Sequence, residues 1–465
     1  MWERFSYYGM RAILLYYIYD TVANGGLALP KETALAIMSI YGSLVFMSSI
    51  VGGWISDRVL GARKTVFLGG VFIMVGHIVL ATPFGISALF LSILLIVIGT
   101  GMLKPNVSGM VGHLYSKTDT RRDAGFSIFY MGINMGALLA PFIVGTLGQT
   151  YNYHVGFSVA AFGMFFGLVQ YYLQGKKSLA SIGLKPTNPI GIEERKKFIR
   201  SLLIVLIFVI ALFGGAFILG HLTISFFINS VSWLGILLPV YYFIKMLTSK
   251  NVTDEEKPRV LGYIPLFLAG IVFWSLEEQG SSILALFANE RTNDTLFGLS
   301  IAPSWFQSLN PIFVVFLTPI FVTLWTKLGR RQPSTVVKFS LGLVFAGLSF
   351  MLLMLPGLLY GTDVKVSPLW LFFSFFIMIV GEMCISPVGL SITTKLAPRA
   401  FESQTVAIWL LADAAGQAIN AQIARFYTPQ TEAAYFGIVG MVAVITGIIL
   451  ILSKNPIKKL MGAIH

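Results

Sequence analysis

The stretch GGWISDRVLGARK (Gly52–Lys64) joins two strongly apolar segments of the chain. It places four charged residues around a single glycine, Gly61, which permits a tight turn: Asp57, Arg58, Arg63 and Lys64. Asp57 is expected to cap a neighbouring helix end or to pair with Arg63 or Lys64. Such contacts would hold two parts of the molecule in one of two tilts, so we treat the four charged residues as candidate gating residues. A solvated charged turn is the alternative.

The composition of the chain indicates a membrane protein. Of its 465 residues, 56% are apolar and only 11% are charged, and a soluble protein of this length could not keep such a surface hydrated. We count 14 apolar stretches, most of them longer than the roughly 20 residues that cross a bilayer. They begin near residues 1, 34, 65, 86, 123, 154, 201, 228, 259, 303, 336, 367, 400 and 433. The prediction is an all-α integral membrane protein with 14 transmembrane helices.

The net charge of +13 is a topology signal, because the basic residues alternate between the connecting segments. One set of segments carries 26 of the 33 Lys and Arg residues, and the other set carries four. Three more lie within spans. This asymmetry predicts a multi-pass protein of the cytoplasmic membrane whose termini and basic loops are cytoplasmic, and it argues against binding of nucleic acid. The single cysteine, Cys384, and five scattered histidines predict no disulfide, metal site or cofactor.

Two faint internal repeats suggest that the chain consists of two similar halves. The segment around Gly61 aligns with WTKLGRRQ (residues 325–332), so that Gly61 matches Gly329. GTGMLKPNVSG (residues 99–109) aligns with GEMCISPVGLS (residues 381–391) at the same place in each half. We therefore predict four regions: an N-terminal six-helix bundle (1–176), a cytoplasmic linker with two inserted transmembrane helices (177–258), a C-terminal six-helix bundle (259–455) and a cytoplasmic tail (456–465). The two bundles are expected to be pseudo-symmetric.

Charged residues within the predicted spans are segregated by half. Each costs at least roughly 2.5 kcal/mol to insert, so each needs a partner or a hydrated cavity. The first half contributes one acid and three bases, and the second half contributes four acids: Glu3, Arg4, Arg11 and Lys104, then Glu277, Glu278, Glu382 and Asp413. If the halves face each other across a cavity, one wall is positive and the other negative. A small zwitterion fits that field.

Helical spacing places these charges on shared faces with aromatic residues. Three sets have the spacing of one helix face: Arg4, Tyr7, Tyr8 and Arg11; Trp274, Glu277, Glu278 and Ser281; and Trp409 with Asp413. The alternative is that the charges form purely structural pairs, with Arg11 and Glu278 neutralising each other. The aromatic residues could equally pack or face lipid. Structural pairs need no segregation by half, however, and this favours a cavity.

Several motifs resemble known families. GGWISDRVLGARK is similar to the signature between the second and third helices of the major facilitator superfamily, which implies two six-helix bundles with a site between them. WERFSYYGMR (Trp2–Arg11) resembles the first-helix signature of the proton-dependent oligopeptide transporters. The fifth- and seventh-helix motifs of that family are similar to FSIFYMGINMGA (Phe126–Ala137) and FWSLEEQGSS (Phe273–Ser282). The family pattern also resembles three further segments: LKPN, SWFQSLNP and GEMCISPVGLS. The inserted helix pair is typical of bacterial members of the family.

The resemblance implies a role for each candidate residue. The peptide carboxylate would be held by Arg4, Tyr8, Arg11 and Lys104, and the peptide amino group by Asn134, Asn310 and Glu382. Proton coupling would involve Glu3, Arg11 and Glu278. Side-chain pockets would be shaped by Tyr7, Phe46, Trp274, Glu277, Trp409 and Asp413. Two residues depart from the family pattern: Phe46 replaces a frequent tyrosine, and Asp413 adds an acid that bears on proton stoichiometry or on preference for basic side chains.

The expected function is import of di- and tripeptides with protons by alternating access, in a monomeric carrier surrounded by lipid. Protons would be the coupling ion, and no catalytic residues are expected. A drug or metabolite exporter would share the fold without needing walls of opposite charge. A nitrate or other anion carrier would use the arginines but leave Glu382 unexplained. An enzyme would need a nucleophile, base or metal constellation that the sequence lacks. A peptide-sensing receptor would bind peptides without transporting them, so only a flux assay separates it from a carrier.

Overall fold

The protein is almost entirely helical in the structure, a computed structural model that describes residues 1–115 and 122–462. Within these ranges the side chains of residues 122–124, 176, 192, 330, 402, 403, 405 and 406 are not described. The first half contains α1 Trp2–Tyr19, α2 Lys31–Ile55, α3 Ala62–Leu80, α4 Gly85–His113, α5 Arg122–Ala140, α6 Thr146–Thr150 and α7 Tyr153–Leu179. The inserted pair is α8 Ile192–Ile218 and α9 Ile224–Thr248. The second half contains α10 Glu256–Glu277, α11 Ile283–Glu290, α12 Leu309–Leu328, α13 Thr335–Tyr360, α14 Leu369–Leu396, α15 Thr405–Ile423, α16 Glu432–Leu452 and α17 Lys454–Met461.

The helix lengths and hydropathy fit a membrane protein. Among the described residues, 12 helical segments are long and apolar enough to cross a bilayer. The charged helix α1 and helix α15 are not among them, although both pack against these long helices: α1 against α7 and α15 against α10. The all-helical class is confirmed, whereas the count of 14 spans and the four regional boundaries stay predictions. A short antiparallel hairpin, β1 Thr295–Leu296 with β2 Leu299–Ser300, lies between α11 and α12.

The two halves repeat one packing pattern. In the first half α3 packs on α4 and α7, and in the second half α13 packs on α14 and α16. A Cβ at Gly99 would lie 2.5 Å from the backbone oxygen of Gly69, and one at Gly381 would lie 2.7 Å from that of Gly342. Each pair therefore lets two helix backbones meet closely, as small residues do in membrane bundles. The sequence alignment had already matched Gly99 with Gly381.

The charged turn between α2 and α3 binds the linker that follows α7. Gly61 has φ +79° and its counterpart Gly329 has φ +47°, conformations that favour glycine. Within the described part of the chain, Asp57 caps no helix and pairs with neither Arg63 nor Lys64; its Oδ1 accepts a hydrogen bond from Thr187 at 3.1 Å. Arg63 donates to the carbonyl of Ala180 at 3.1 Å. The turn meets the linker because the linker folds back beneath it, which local sequence did not indicate.

The same turn and the end of α2 anchor the first inserted helix. Arg58 forms an ion pair with Glu194 at the start of α8, and Trp54 stacks on Phe198 with ring centroids 4.1 Å apart. Beyond this contact α8 is largely exposed, as expected of a lipid-facing helix. Helix α9 instead packs against both α2 and α15, along one side of the interface between the halves.

One end of the bundle is closed by contacts between the halves. The basic loops lie at the other end, which we call the basic end. The closed end is called the opposite end. Lys31 forms an ion pair with Glu290, and Asn289 donates to the Tyr19 hydroxyl at 2.7 Å. Trp305 Nε1 donates to the hydroxyl of Thr146 at 2.8 Å. These contacts join α1, α2 and α6 to the segment between α10 and α12.

Candidate functional site

A cavity of about 430 Å³ lies between the two halves. Four helices of the first half contribute to its wall, and so do four helices and two 3-10 turns of the second half. Twelve of the candidate residues line it: Tyr8, Arg11, Phe46, Lys104 and Asn134 from the first half, and Trp274, Glu277, Glu278, Asn310, Glu382, Trp409 and Asp413 from the second. Concave sites with a few convergent polar groups are typical of small-molecule binding.

An ion pair between Arg11 and Glu278 joins the halves at this cavity. Both side chains are buried, and Arg11 Nη2 contacts Glu278 Oε2. The same Oε2 accepts a hydrogen bond from Gln417 Nε2 at 2.6 Å. Glu278 follows the last residue of α10, where the helix tightens into a 3-10 turn. This break in the helix places the carboxylate in the cavity wall, between α1 and α15.

The other charges in the cavity are not paired with one another. Lys104 Nζ lies 4.0 Å from the ring centre of Phe46, and no ion pair to this amine occurs among the residues described. Glu277 Oε1 accepts a hydrogen bond from Asn310 at 2.7 Å. Glu382 Oε2 and Asp413 Oδ1 are buried without a hydrogen-bond partner in the described part of the chain. The cavity thus has cations on the first-half wall and acids on the second-half wall.

Three of the candidate binding and coupling residues lie outside this cavity, as do the four candidate gating residues. Arg4 forms two hydrogen bonds to its neighbour Glu3, at 2.6 and 2.8 Å, and both residues line a second cavity of about 320 Å³ within the first half. Lys104 borders both cavities. Tyr7 lies behind the wall, packed against Tyr8 and Tyr41. Helical spacing placed Arg4 and Tyr7 on one face with Arg11. It did not reveal that the Arg4 guanidinium is already hydrogen-bonded to Glu3.

Sequence reasoning missed two polar groups that position the cavity wall. Gln417 holds Glu278 and lies one turn after Asp413 on α15, so extending that spacing by four residues would have found it. Asn420 lies one turn further on, and its amide contacts Ser275 and Gln279 next to the break after α10. Gln279 also accepts a hydrogen bond from Tyr435 at 2.9 Å. This network fixes the break against α15.

The described residues show no metal site. Among residues 1–115 and 122–462, no group of three or more His, Cys, Asp or Glu side chains could hold a metal ion. Cys384 is buried and unpaired with another cysteine, and His77 is buried on α3, away from the cavity residues. The chemistry available in the cavity is therefore that of charges, amides and aromatic faces, which can bind and orient a charged solute.

Comparison with known proteins decides the family. The family model described as PTR2, the POT family, matches residues 63–442. The chain belongs to the POT family. A POT relative, a di-/tripeptide transporter of Lactococcus lactis subsp. cremoris, is 54% identical over 100% of this chain and 95% of its own length. The peptide transporter YePEPT of Yersinia enterocolitica is 34% identical over 99% of this chain and 93% of its own length.

Solved POT structures have the same fold as this chain. A crystal structure of a peptide transporter POT in complex with sulfate has a TM-score of 0.96 and 53% identity, covering 99% of this chain and 93% of that one. A POT family transporter in complex with 5-aminolevulinic acid has a TM-score of 0.93 and 44% identity, covering 98% and 94%. The family predicted from WERFSYYGMR and the other motifs is confirmed, and so is the prediction of a transporter rather than an enzyme. The roles of the individual residues stay predictions.

Proposed function

We propose that this protein imports di- and tripeptides together with protons by alternating access. The observation that carries the proposal is the buried Arg11–Glu278 ion pair, which joins the two halves at a cavity between walls of opposite charge. POT-family membership over most of the chain supports it, as do full-length relatives named as di-/tripeptide transporters. A dipeptide is a zwitterion, and such walls orient it.

The cavity offers a binding position for each end of a peptide. Arg11 and Lys104 would hold the carboxylate, with the Tyr8 hydroxyl beside them, because a guanidinium binds a carboxylate through two parallel hydrogen bonds. Glu382 would accept the ammonium group, since one of its oxygens is buried without a partner among the described residues. The amides of Asn134 and Asn310 line the same cavity, one from each half, and would complete the amino site.

Proton coupling would act through the Arg11–Glu278 pair. While Glu278 is ionised, it occupies the Arg11 guanidinium. Protonation of Glu278 removes that charge partner and frees Arg11 for the incoming carboxylate. The bound peptide then contacts both halves and favours the state in which they are closest. Loss of the proton on the less acidic side restores the pair and resets the carrier. Glu3 would act in the same way on Arg4 in the neighbouring cavity.

The charge asymmetry of the loops supports an orientation with the basic end and both termini in the cytoplasm. In that orientation the closed opposite end faces outwards, and the pairs Lys31–Glu290 and Tyr19–Asn289 would have to separate for peptide to enter. The contacts of Asp57, Arg58 and Arg63 with the linker, together with the adjacent Lys64, would bias the tilt of the halves. We propose a monomer embedded in lipid that needs no cofactor other than protons.

Uptake of labelled Ala-Ala by purified protein in liposomes tests this function. With the vesicle interior alkaline and negative, we expect concentrative uptake that a protonophore abolishes. Unlabelled dipeptides should compete, and free alanine should not. Protein-free liposomes provide the control. Absence of uptake by folded protein under this gradient would contradict the proposal, and the result would favour an exporter or an anion carrier.

A further inference from the structure

Asp413 is a buried acid that the proposed peptide-binding scheme does not use. It lies on α15, one turn after Trp409, and only 5% of its surface is exposed. It lines the cavity, and its Oδ1 has no hydrogen-bond partner among the described residues. A buried carboxylate oxygen without a partner is unfavourable, so this position is suited to a ligand that donates hydrogen bonds or carries positive charge.

The charges of the cavity leave one acid unmatched. Its lining holds two cations and four acids, so that the fully ionised wall has two more negative than positive charges: Arg11 and Lys104 against Glu277, Glu278, Glu382 and Asp413. A zwitterionic peptide adds no net charge. One proton on Glu278 removes one excess negative charge, and one remains. A single positive charge on the peptide side chain would neutralise it.

The charged neighbours of Asp413 do not remove this excess. The groups that act on it electrostatically are Glu278, Lys104, Glu277 and Arg11. Arg11 is paired with Glu278, and Lys104 lies over the Phe46 ring without an ion pair among the described residues. Once a peptide carboxylate binds Lys104 and Arg11, both cations are occupied. Asp413 then faces a cavity that contains other acids but no free cation from its described lining.

An aromatic wall beside Asp413 suits a long basic side chain. The Trp409 ring is wedged between helices, since a Cβ on Gly389 would lie 2.2 Å from it and one on Gly270 would lie 3.2 Å from it. Trp274 lines the same cavity. Lysine and arginine pack their alkyl stems on apolar surfaces and present the charge at the tip, and an arginine also stacks on an aromatic ring.

We propose that Asp413 forms a subsite for a cationic peptide side chain, so that the carrier prefers di- and tripeptides containing lysine or arginine. This inference rests on the proposed function, because it assumes that the cavity binds peptides. It assigns the substrate class within that function. It also predicts that replacing the acid by a base reverses the charge preference of the subsite.

Competition against labelled Ala-Ala uptake tests the subsite. In the wild-type protein we expect Ala-Lys to compete about tenfold more strongly than Ala-Gln, which has a neutral side chain, since a buried hydrogen bond to a charged group is strong. In Asp413→Asn the ratio of the two inhibitory concentrations should fall close to one. In Asp413→Lys we expect Ala-Glu to become the better competitor. Asp363→Asn, which removes an exposed acid from the loop between α13 and α14 and outside the cavity lining, is the matched control and should keep the wild-type ratio.

If a variant no longer transports, its preference for Ala-Lys over Ala-Gln is measured instead by equilibrium binding of the two peptides to the purified protein. Equal competition by the two peptides in the wild-type protein would overturn the proposal, as would a preference for Ala-Lys that survives Asp413→Asn. A change in proton dependence with an unchanged preference would also overturn it and would make Asp413 a proton site. Failure of wild-type Ala-Ala uptake would instead contradict the proposed function itself.

Discussion

At the scale of single residues, the Glu278 carboxylate, which we propose couples the proton, is held by donors from two helices. Arg11 on α1 and Gln417 on α15 both contact Oε2 of Glu278. A third helix makes room for this contact, because a Cβ at Gly42 on α2 would lie 2.4 Å from Nε2 of Gln417. The position of Glu278 therefore depends on residues of both halves, as a group that senses their relative movement should.

Replacing Gln417 should impair coupling. In Gln417→Leu, Glu278 loses one of its two donors and is less well positioned, and we expect proton-driven Ala-Ala uptake to fall about tenfold, the effect of one hydrogen bond to a charged group. Gln422→Leu is the matched control, since Gln422 lies on the same helix but bonds Asn229 and Ser232 of α9. Both variants are assayed in liposomes under the same gradient. Equal uptake by Gln417→Leu and the control would contradict the positioning role.

The sequence predicted which residues line the site better than it predicted their partners. Helical spacing grouped Trp274, Glu277 and Glu278, and all three lie in the cavity wall. Spacing also grouped Arg4 with Arg11, but the Arg4 side chain turns to Glu3 and a different cavity. Side-chain direction is set by the neighbouring helices, and their packing cannot be read from one helix alone.

At the scale of helices, hydropathy located the 12 long apolar helices but not their ends or breaks. The apolar stretch of α8 was expected near residue 201, whereas the helix begins at Ile192. Charged residues form helix readily, so the helix continues beyond the apolar segment, and the Arg58–Glu194 pair anchors it there. The break at Glu278–Ser281 and the wider π-helical turn at Pro141–Gly145 were not predicted, because tertiary contacts rather than composition fix them.

Close contacts between helix backbones should make Gly99 sensitive to substitution. In Gly99→Ala the new methyl group would lie 2.5 Å from a backbone oxygen of α3, and we expect a loss of about 1–3 kcal/mol in stability, as for an overpacked core. Gly109→Ala on the same helix is the control, since a Cβ there meets nothing within 4 Å. Thermal unfolding of the purified variants should show a lower midpoint for Gly99→Ala alone. Equal midpoints would contradict this account of the α3–α4 contact.

At the scale of the whole molecule, two similar halves enclose one cavity and are joined at one end. The contacts at the opposite end and the Arg11–Glu278 pair bridge the halves, and α9 packs across one side of their interface. A repeat of six spans was inferred from two weak sequence matches. The matched glycines have the same role in each half: Gly61 and Gly329 have positive φ, and Gly99 and Gly381 each meet a neighbouring backbone.

We propose that Glu278 couples the proton to movement of the halves, and the variant Glu278→Gln tests this role. Glutamine keeps the shape of the side chain but carries no charge, so the variant mimics the protonated state and cannot reset by losing a proton. Purified protein in liposomes is assayed for proton-driven uptake of Ala-Ala and for counterflow of Ala-Ala without a gradient. Glu32→Gln, which alters an exposed acid at the opposite end, is the control.

We expect Glu278→Gln to lose driven uptake while it retains counterflow, and Glu32→Gln to retain both. Loss of counterflow together with driven uptake in folded Glu278→Gln would contradict a coupling role separate from binding. Full driven uptake by the variant would contradict the claim outright.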